Sequence, residues 1–247
     1  MPEINFSQLF HQYTKGFHKK IPLDSSLWPK EWKTTYYKTY PRLPKINLEH
    51  QEKKFDLFEA IKKRSSKREM SGGEINLDKL SALLKYSCGI THKSEDELEL
   101  NLRVQPSGGA RFPIETYCLI AKPGQGLKPG LFHYDVKNHQ LNLLWEKEFT
   151  KDDLDEIAIY EFVKDASLIV FLTAVFWRTQ DKYGERGYRF ILQESGHIGQ
   201  NIYLVCEALG LKCCALGGFR ISDQQIEKIL DIDGINESLV YTLVIGR

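Results

Sequence analysis

Five short groups of residues in this 247-residue chain have the types and spacing to do chemistry. The first is Lys182-Tyr183, followed by Gly184-Glu185-Arg186-Gly187-Tyr188. Near their reference pKa values only about 0.1% of either group is deprotonated at pH 7, so a base role needs burial or a neighbouring cation. A lysine beside a tyrosine is one such arrangement, since the ammonium favours phenolate; a charged surface loop is the other reading. The second group is Glu194-Ser195-Gly196-His197 inside a long apolar helix pattern. Glycine there costs about 1 kcal/mol against alanine, which suggests that something flat or backbone-close lies against the helix. The third is Arg64-Ser65-Ser66-Lys67-Arg68, able to give charge-assisted hydrogen bonds to phosphate or carboxylate. The fourth runs from Arg103 to Pro113, where Pro106-Ser107-Gly108-Gly109 makes a turn whose bare backbone can approach a ligand. The fifth is Gly217-Gly218 after a short apolar strand, before Phe219 and Arg220.

Other chemistries are excluded. Glu194 and His197 are half of a di-iron carboxylate site, but no second copy exists, and HExxH and CxxC contexts are missing, so no metal is expected. His197 reads as a structural histidine. Gly124, Gly126 and Gly130 contain Pro129 among them and lead into a strand, which rejects a dinucleotide fingerprint. Acids and bases nearly cancel, for a net charge of +1, against a general nucleic-acid binder. The five cysteines are odd in number and read as reduced, buried thiols, hence a cytoplasmic protein. The first residues carry no long apolar run, so no signal peptide is expected. The longest apolar run, Leu168 to Trp177, is too short for a membrane span.

These groups must be positioned by a mixed set of elements. Residues 1–50 are rich in aromatics and proline and read as an arm packing on the body or on a partner subunit; residues 51–247 form the body. Helical spacing covers Phe55 to Ile61, Leu77 to Leu84 (closed by Gly89), Asp152 to Tyr160, Tyr188 to Leu209 and Asp223 to Leu230. Strand patterns cover Thr116 to Ala121, a hairpin of Leu131 to Val136 and Gln140 to Trp145, the buried run Ala166 to Phe176, Cys213 to Leu216, and Leu239 to Ile245. Without regular βαβ alternation the pattern favours an α+β layered fold.

The order of the motifs, Arg-x-Ser-x-Arg, Pro-Ser-x-Gly, Lys-Tyr, Glu-x-Gly-His and Gly-Gly-Phe, resembles the SagB/McbC-type azoline dehydrogenases of the nitroreductase-like superfamily over roughly residues 50–247. The resemblance implies a central, mostly antiparallel sheet flanked by helices, with FMN at a homodimer interface. It implies that Arg64, Ser65, Ser66 and Arg68 hold the phosphate and ribityl chain. Pro106, Ser107, Gly108, Gly109, Glu194, Gly196, Gly217 and Gly218 would border the flavin, and Arg247 would add a phosphate contact. Lys182 and Tyr183 would be the catalytic pair that takes a ring proton while hydride leaves to the flavin, turning thiazoline or oxazoline into thiazole or oxazole. The implied substrate is a peptide or carrier-bound intermediate, with cyclodehydratase partners. Lys67-Arg68-Glu69-Met70 departs from the usual aromatic after the arginine. Two alternatives stay open: a general NAD(P)H-dependent nitro or quinone reductase, and a non-catalytic scaffold subunit of a peptide-modifying complex.

Overall fold

The structure, a computed structural model, describes residues 5–16, 20–49, 52–93 and 101–247; the arm aromatic Phe17 lies outside them. A seven-stranded antiparallel sheet forms the centre, in the order β1-β6-β5-β4-β7-β9-β8. Its strands are β1 (Lys45–Asn47), β4 (Ile114–Ile120), β5 (Gly130–Asp135), β6 (Gln140–Glu146), β7 (Leu168–Val175), β8 (Lys212–Ala215) and β9 (Glu237–Gly246). A small hairpin pairs β2 (Ile90–His92) with β3 (Leu102–Arg103). The helices are α1 (Phe6–Tyr13), α2 (Lys30–Lys33), α3 (Leu57–Lys63), α4 (Leu77–Cys88), α5 (Lys151–Ile157), α6 (Trp177–Tyr183), α7 (Gly187–Ala208) and α8 (Asp223–Ile229).

β4 and β7 are buried along their whole length, so both faces must be apolar, and both are covered. Cys118, Ile120, Val170 and Leu172 face α4 and α7, meeting Leu80, Leu83, Ile191, Ile198 and Ile202. Tyr117, Leu119, Ile169 and Phe171 face the other way, onto Leu154, Ile157, Ile226 and Leu230 of α5 and α8. Two of these helices start on capping boxes, Thr150 with Asp153 and Ser222 with Gln225.

Three differences from the sequence reading matter. Residues 1–50 supply a sheet strand, since β1 pairs with β6 through Ile46 opposite Leu141. The helix begun at residue 151 ends at Ile157, not Tyr160, because Ala158 turns extended to bridge Phe219. Lys182 and Tyr183 close α6 rather than lie in a loop. Phe176 already has helical angles, and the chain does not break until Gly184, whose φ of 58° favours glycine.

Candidate functional site

The two ends of α7 gather the predicted residues into two clusters. At the N-terminal end, α6 and α7 approach so closely that a methyl on Gly187 would sit 3.2 Å from the Thr179 carbonyl oxygen. This delivers the end of α6 to the Pro106–Ala110 turn. Gly109 has φ of 65°, and a Cβ there would fall 2.5 Å from Tyr183 Oη and 3.2 Å from Lys182 Nζ. The catalytic candidates therefore converge on the bare backbone the sequence marked. Gly108 abuts Phe190, whose ring meets the Tyr183 ring edge-on at 5.1 Å. Ser107 Oγ accepts from the Phe112 amide at 2.8 Å and fixes the turn, while Pro106 is exposed.

Lys182 is 2% exposed and has no carboxylate partner among the described residues. Its Nζ lies 3.3 Å from the centroid of the Trp28 ring and 5.9 Å from that of Trp32. Burial, with the positive charge of Arg111 added, lowers its pKa below that of an ordinary lysine. Burial raises the Tyr183 pKa, and the Arg111 charge only partly opposes it. The expected phenolate is thus disfavoured: burial penalises the charged form of both groups.

Glu194 is 2% exposed and faces the same turn. Gln105 Nε2 donates to its Oε1 at 3.2 Å. Burial pushes its pKa up to about 7, against the pull of hydrogen bonds from Ser107 and Gln105. Beside it Arg103 Nε and Nη2 and Gln105 Oε1 are buried without hydrogen-bond partners.

The second cluster lies further along α7, around Tyr203. The Arg64 guanidinium is 5.5 Å from the Tyr203 ring centroid, and Ser66 Oγ is 3.1 Å from Tyr203 Oη. That hydroxyl accepts from the Ala215 amide at 2.7 Å, which draws in the end of β8 and the following Gly217-Gly218. Burial raises the Cys214 thiol pKa, and Arg68 beside it only partly opposes the rise; Ser65 is exposed. Lys67 is consumed by Glu207 at 2.5 Å, but neither Arg64 nor Arg68 is ion-paired among the described residues. Gly196 and Gly217 have open space where a Cβ would point, whereas Gly218 is packed against Ile159. Gly196 and Tyr203 are seven residues apart, on one helix stripe and ~10 Å apart along the axis. Two unpaired guanidiniums, a hydroxyl and open glycine backbone along one stripe fit a phosphate-bearing, flat cofactor such as FMN.

Arg247 sits elsewhere. Its side chain lies along Gly73 and faces a hollow with Glu74, Asn76 and Lys79. His197 is exposed, and Gly199, not Gly196, is the glycine that packing demands, because a methyl there would enter the Tyr241 ring.

Sequence reasoning missed Trp28, Trp32, Arg111 and Tyr203. Arg111 is 1% exposed and donates to the backbone oxygens of Arg178, Trp32, Thr34 and Glu31 at 2.8–3.0 Å. It also missed the buried pair Arg178–Glu115 at 2.5 Å, with His133 Nε2 on the other carboxylate oxygen at 2.8 Å. Tyr203 had a usable signal, its spacing of seven from Gly196.

A layered α+β fold with this site defines a flavin-type oxidoreductase scaffold. The Nitroreductase family model matches residues 61–247, and the chain belongs to that family. Among curated relatives, a Methanocaldococcus jannaschii protein named as a candidate nitroreductase is 29% identical over 191 residues, 77% of this chain and 90% of that one. The trifolitoxin-processing protein TfxB of Rhizobium leguminosarum is 28% identical over 70% of this chain and 48% of its own. The microcin B17-processing protein McbC of Escherichia coli is 28% identical over 53% and 49%. The chain thus spans about half the length of the two processing proteins. A solved structure from Anabaena variabilis, described as a candidate nitroreductase, superposes with a TM-score of 0.71 at 25% identity, covering 97% of this chain and 45% of that one. An Exiguobacterium sibiricum structure in complex with FMN shares the fold, with a TM-score of 0.53 at 14% identity, covering 80% and 90%. Among the described residues no helix is long and apolar enough to cross a membrane, and no cluster of metal-ligating side chains occurs.

Proposed function

We propose that this protein is an FMN-dependent dehydrogenase that oxidises thiazoline or oxazoline rings, in a peptide or carrier-bound intermediate, to thiazoles or oxazoles. The observation that carries the reading is the buried Lys182, without a carboxylate partner and with a lowered pKa, held with Tyr183 against Gly109. Bound FMN supplies the hydride acceptor. The chain supplies the rest. Arg64, Ser66 and Arg68 hold the phosphate and ribityl end. Open backbone at Gly196 and Gly217 leaves room for a flat ring, with Gly218, Ser65, Pro106, Ser107 and Gly108 around it; Arg247 is the weakest member, given where its side chain lies. Neutral Lys182 accepts the proton from the ring carbon, and the Tyr183 phenol, kept neutral by burial, orients the ring by hydrogen bonding. Glu194, neutral below about pH 7, keeps a negative charge away from the reacting atoms.

The two clusters flank the open face of α7, where Leu192, Gln193, Gly196, His197 and Gln200 are exposed. Glu194 and Tyr203 point ~180° apart around that helix at about 100° per residue. A homodimer closing over this face would bring the Lys182 cluster of one copy to the Tyr203 cluster of the other. TfxB is a trifolitoxin-processing protein and McbC a microcin B17-processing protein, and this likeness supports a processing role; a peptide substrate and cyclodehydratase partners belong to the same proposal.

The test begins with the visible spectrum of the purified protein and the cofactor released by heat. FMN is expected; a protein that stays colourless in excess FMN sinks the reading and favours the scaffold alternative. Next, Lys182→Ala should retain FMN yet lose 10²–10⁴-fold in oxidation of a thiazoline-containing peptide, the range for removal of a general base. Undiminished azoline oxidation would remove Lys182 from the mechanism. NAD(P)H-driven reduction of quinones without any azoline oxidation would favour the general reductase.

A further inference from the structure

Lys182 Nζ is enclosed from two sides. On one lies the Gly109 backbone, where an added methyl would be 3.2 Å away. On the other lies the face of Trp28, 3.3 Å away. A base must come within about 3–3.5 Å of the atom it deprotonates. The Trp28 face fills that range on one side; on the other, the gap left by the missing Gly109 side chain is bounded by Tyr183 Oη, only 2.5 Å from where a Cβ would sit, so a ring can reach the amine only where Trp28 now lies.

The two walls are held differently. Gly109 belongs to a turn closed by the Ala110 amide on the Ser107 carbonyl oxygen at 3.1 Å and by Ser107 Oγ on the Phe112 amide. Trp28 rides on a strap from Pro22 to Thr34 that is pinned at its C-terminal end. There Arg111 grips the carbonyls of Glu31, Trp32 and Thr34, and Trp32 Nε1 donates to Asp181 at 3.2 Å. Before residue 29 the strap's hydrogen bonds are internal among the described residues. Trp28 Nε1 donates to the Pro22 carbonyl at 2.7 Å, and Asp24 caps the turn Ser25–Leu27 through the Ser26 amide at 2.8 Å. Leu23 is fully exposed and Leu27 is 68% exposed. Among the described residues no hydrogen bond joins the 22–28 section to the body, so that section can lift about the Arg111 clamp without breaking one.

We propose that Trp28 is a placeholder, its indole occupying the seat of the substrate's planar five-membered ring over Lys182, and that substrate enters by displacing the 22–28 section about the Arg111-clamped hinge. An indole face and an azole ring are alike in being flat, apolar and able to lie over an amine, so one seat takes either. While Trp28 is in place, Lys182 is dry and shielded from unproductive reaction. This rests on Lys182 being the base. Trp28 is a positioning residue and takes no part in bond making.

The experiment is competitive acetylation of the folded, cofactor-loaded protein with acetic anhydride over a pH series, read at Lys182 by peptide mass spectrometry. The exposed Lys147 serves as an internal standard. The wild type should give a low plateau rate, with an inflection below the ordinary lysine range. Trp28→Ala should raise the plateau about tenfold or more, as expected when a local opening cost is removed, and move the inflection up. Trp28→Phe, which keeps a ring face, should stay near the wild type and separate loss of shielding from loss of fold. Adding 2-methylthiazole to Trp28→Ala should restore protection of Lys182. An unchanged plateau in Trp28→Ala overturns the shield; an unshielded Lys182 that 2-methylthiazole leaves reactive overturns the shared seat. Lys182→Ala that still oxidises azolines would sink the functional reading, while the shielding result would stand.

Discussion

Replacing Glu194 with glutamine should make the protein more stable at neutral and alkaline pH and leave it unchanged in acid. The carboxyl is buried against the Ser107 turn, and its pKa rises from an unperturbed 4.5 to about 7 because burial penalises the anion. A folded-state pKa above the unfolded one means that folding favours the protonated form. The contribution to stability is intact below about pH 4.5, declines as pH rises, and is lost above about pH 7. At about 1.36 kcal/mol per pH unit, the displacement from 4.5 to about 7 corresponds to ~3 kcal/mol at alkaline pH. Glutamine has the same shape, can still accept from Gln105 Nε2, and carries no charge to bury. For a chain of this size 1 kcal/mol moves Tm by about 2–4 °C, so Glu194→Gln should melt about 6–12 °C higher than the wild type at pH 8. The two should coincide near pH 4.5. Thermal melts followed by circular dichroism across that range make the comparison. Parallel Tm curves, with no divergence between pH 5 and 8, would refute the assignment of a burial-raised pKa to Glu194.

Three further outcomes are expected. Arg178→Met leaves Glu115 buried with one counter-charge fewer, and urea denaturation should show a loss of about 3–5 kcal/mol; a loss below about 1 kcal/mol would show that His133 alone satisfies the carboxylate. The two glycines of α7 should respond oppositely to alanine. Gly199→Ala forces the Tyr241 ring aside and should cost about 1–3 kcal/mol, whereas Gly196→Ala points into open space and should gain up to ~1 kcal/mol from helix propensity while weakening FMN retention. Arg64→Ala removes one of two unpaired guanidiniums from the Tyr203 cluster, and fluorescence titration should show FMN affinity lower by about 1.5–3 kcal/mol, the worth of a charged hydrogen bond; unchanged affinity would place the phosphate elsewhere.

Much of the fold was readable from local pattern. The buried run around Ala166 to Phe176 is the central β7, the Lys137-Asn138-His139 turn does join β5 to β6, and the helical spacing from Tyr188 to Leu209 is α7. Such patterns report which faces need covering, and that follows from side-chain period alone. The end of α6 was misread because Lys182-Tyr183 has loop-like composition, whereas its helical state comes from Trp177 packing on Tyr36 and from Gly184 delaying the break.

For the site, the sequence determined which groups exist: a lysine beside a tyrosine, a glycine pair after Pro-Ser, and a basic-hydroxyl cluster of fixed spacing. Their chemical state was settled by tertiary structure. The sequence suggested that the Lys182 ammonium would favour a Tyr183 phenolate. The fold instead packed Trp28, from more than a hundred residues away, over Nζ and buried both side chains, which disfavours the charged form of each, with Arg111 adding to the effect on Lys182 and partly opposing it on Tyr183. Likewise Glu194 is an ordinary helix glutamate by sequence and a carboxyl with a pKa of about 7 by burial. Side-chain identity is local, but desolvation and the field of neighbouring charges depend on which distant segments pack against a group, and only the folded chain specifies those.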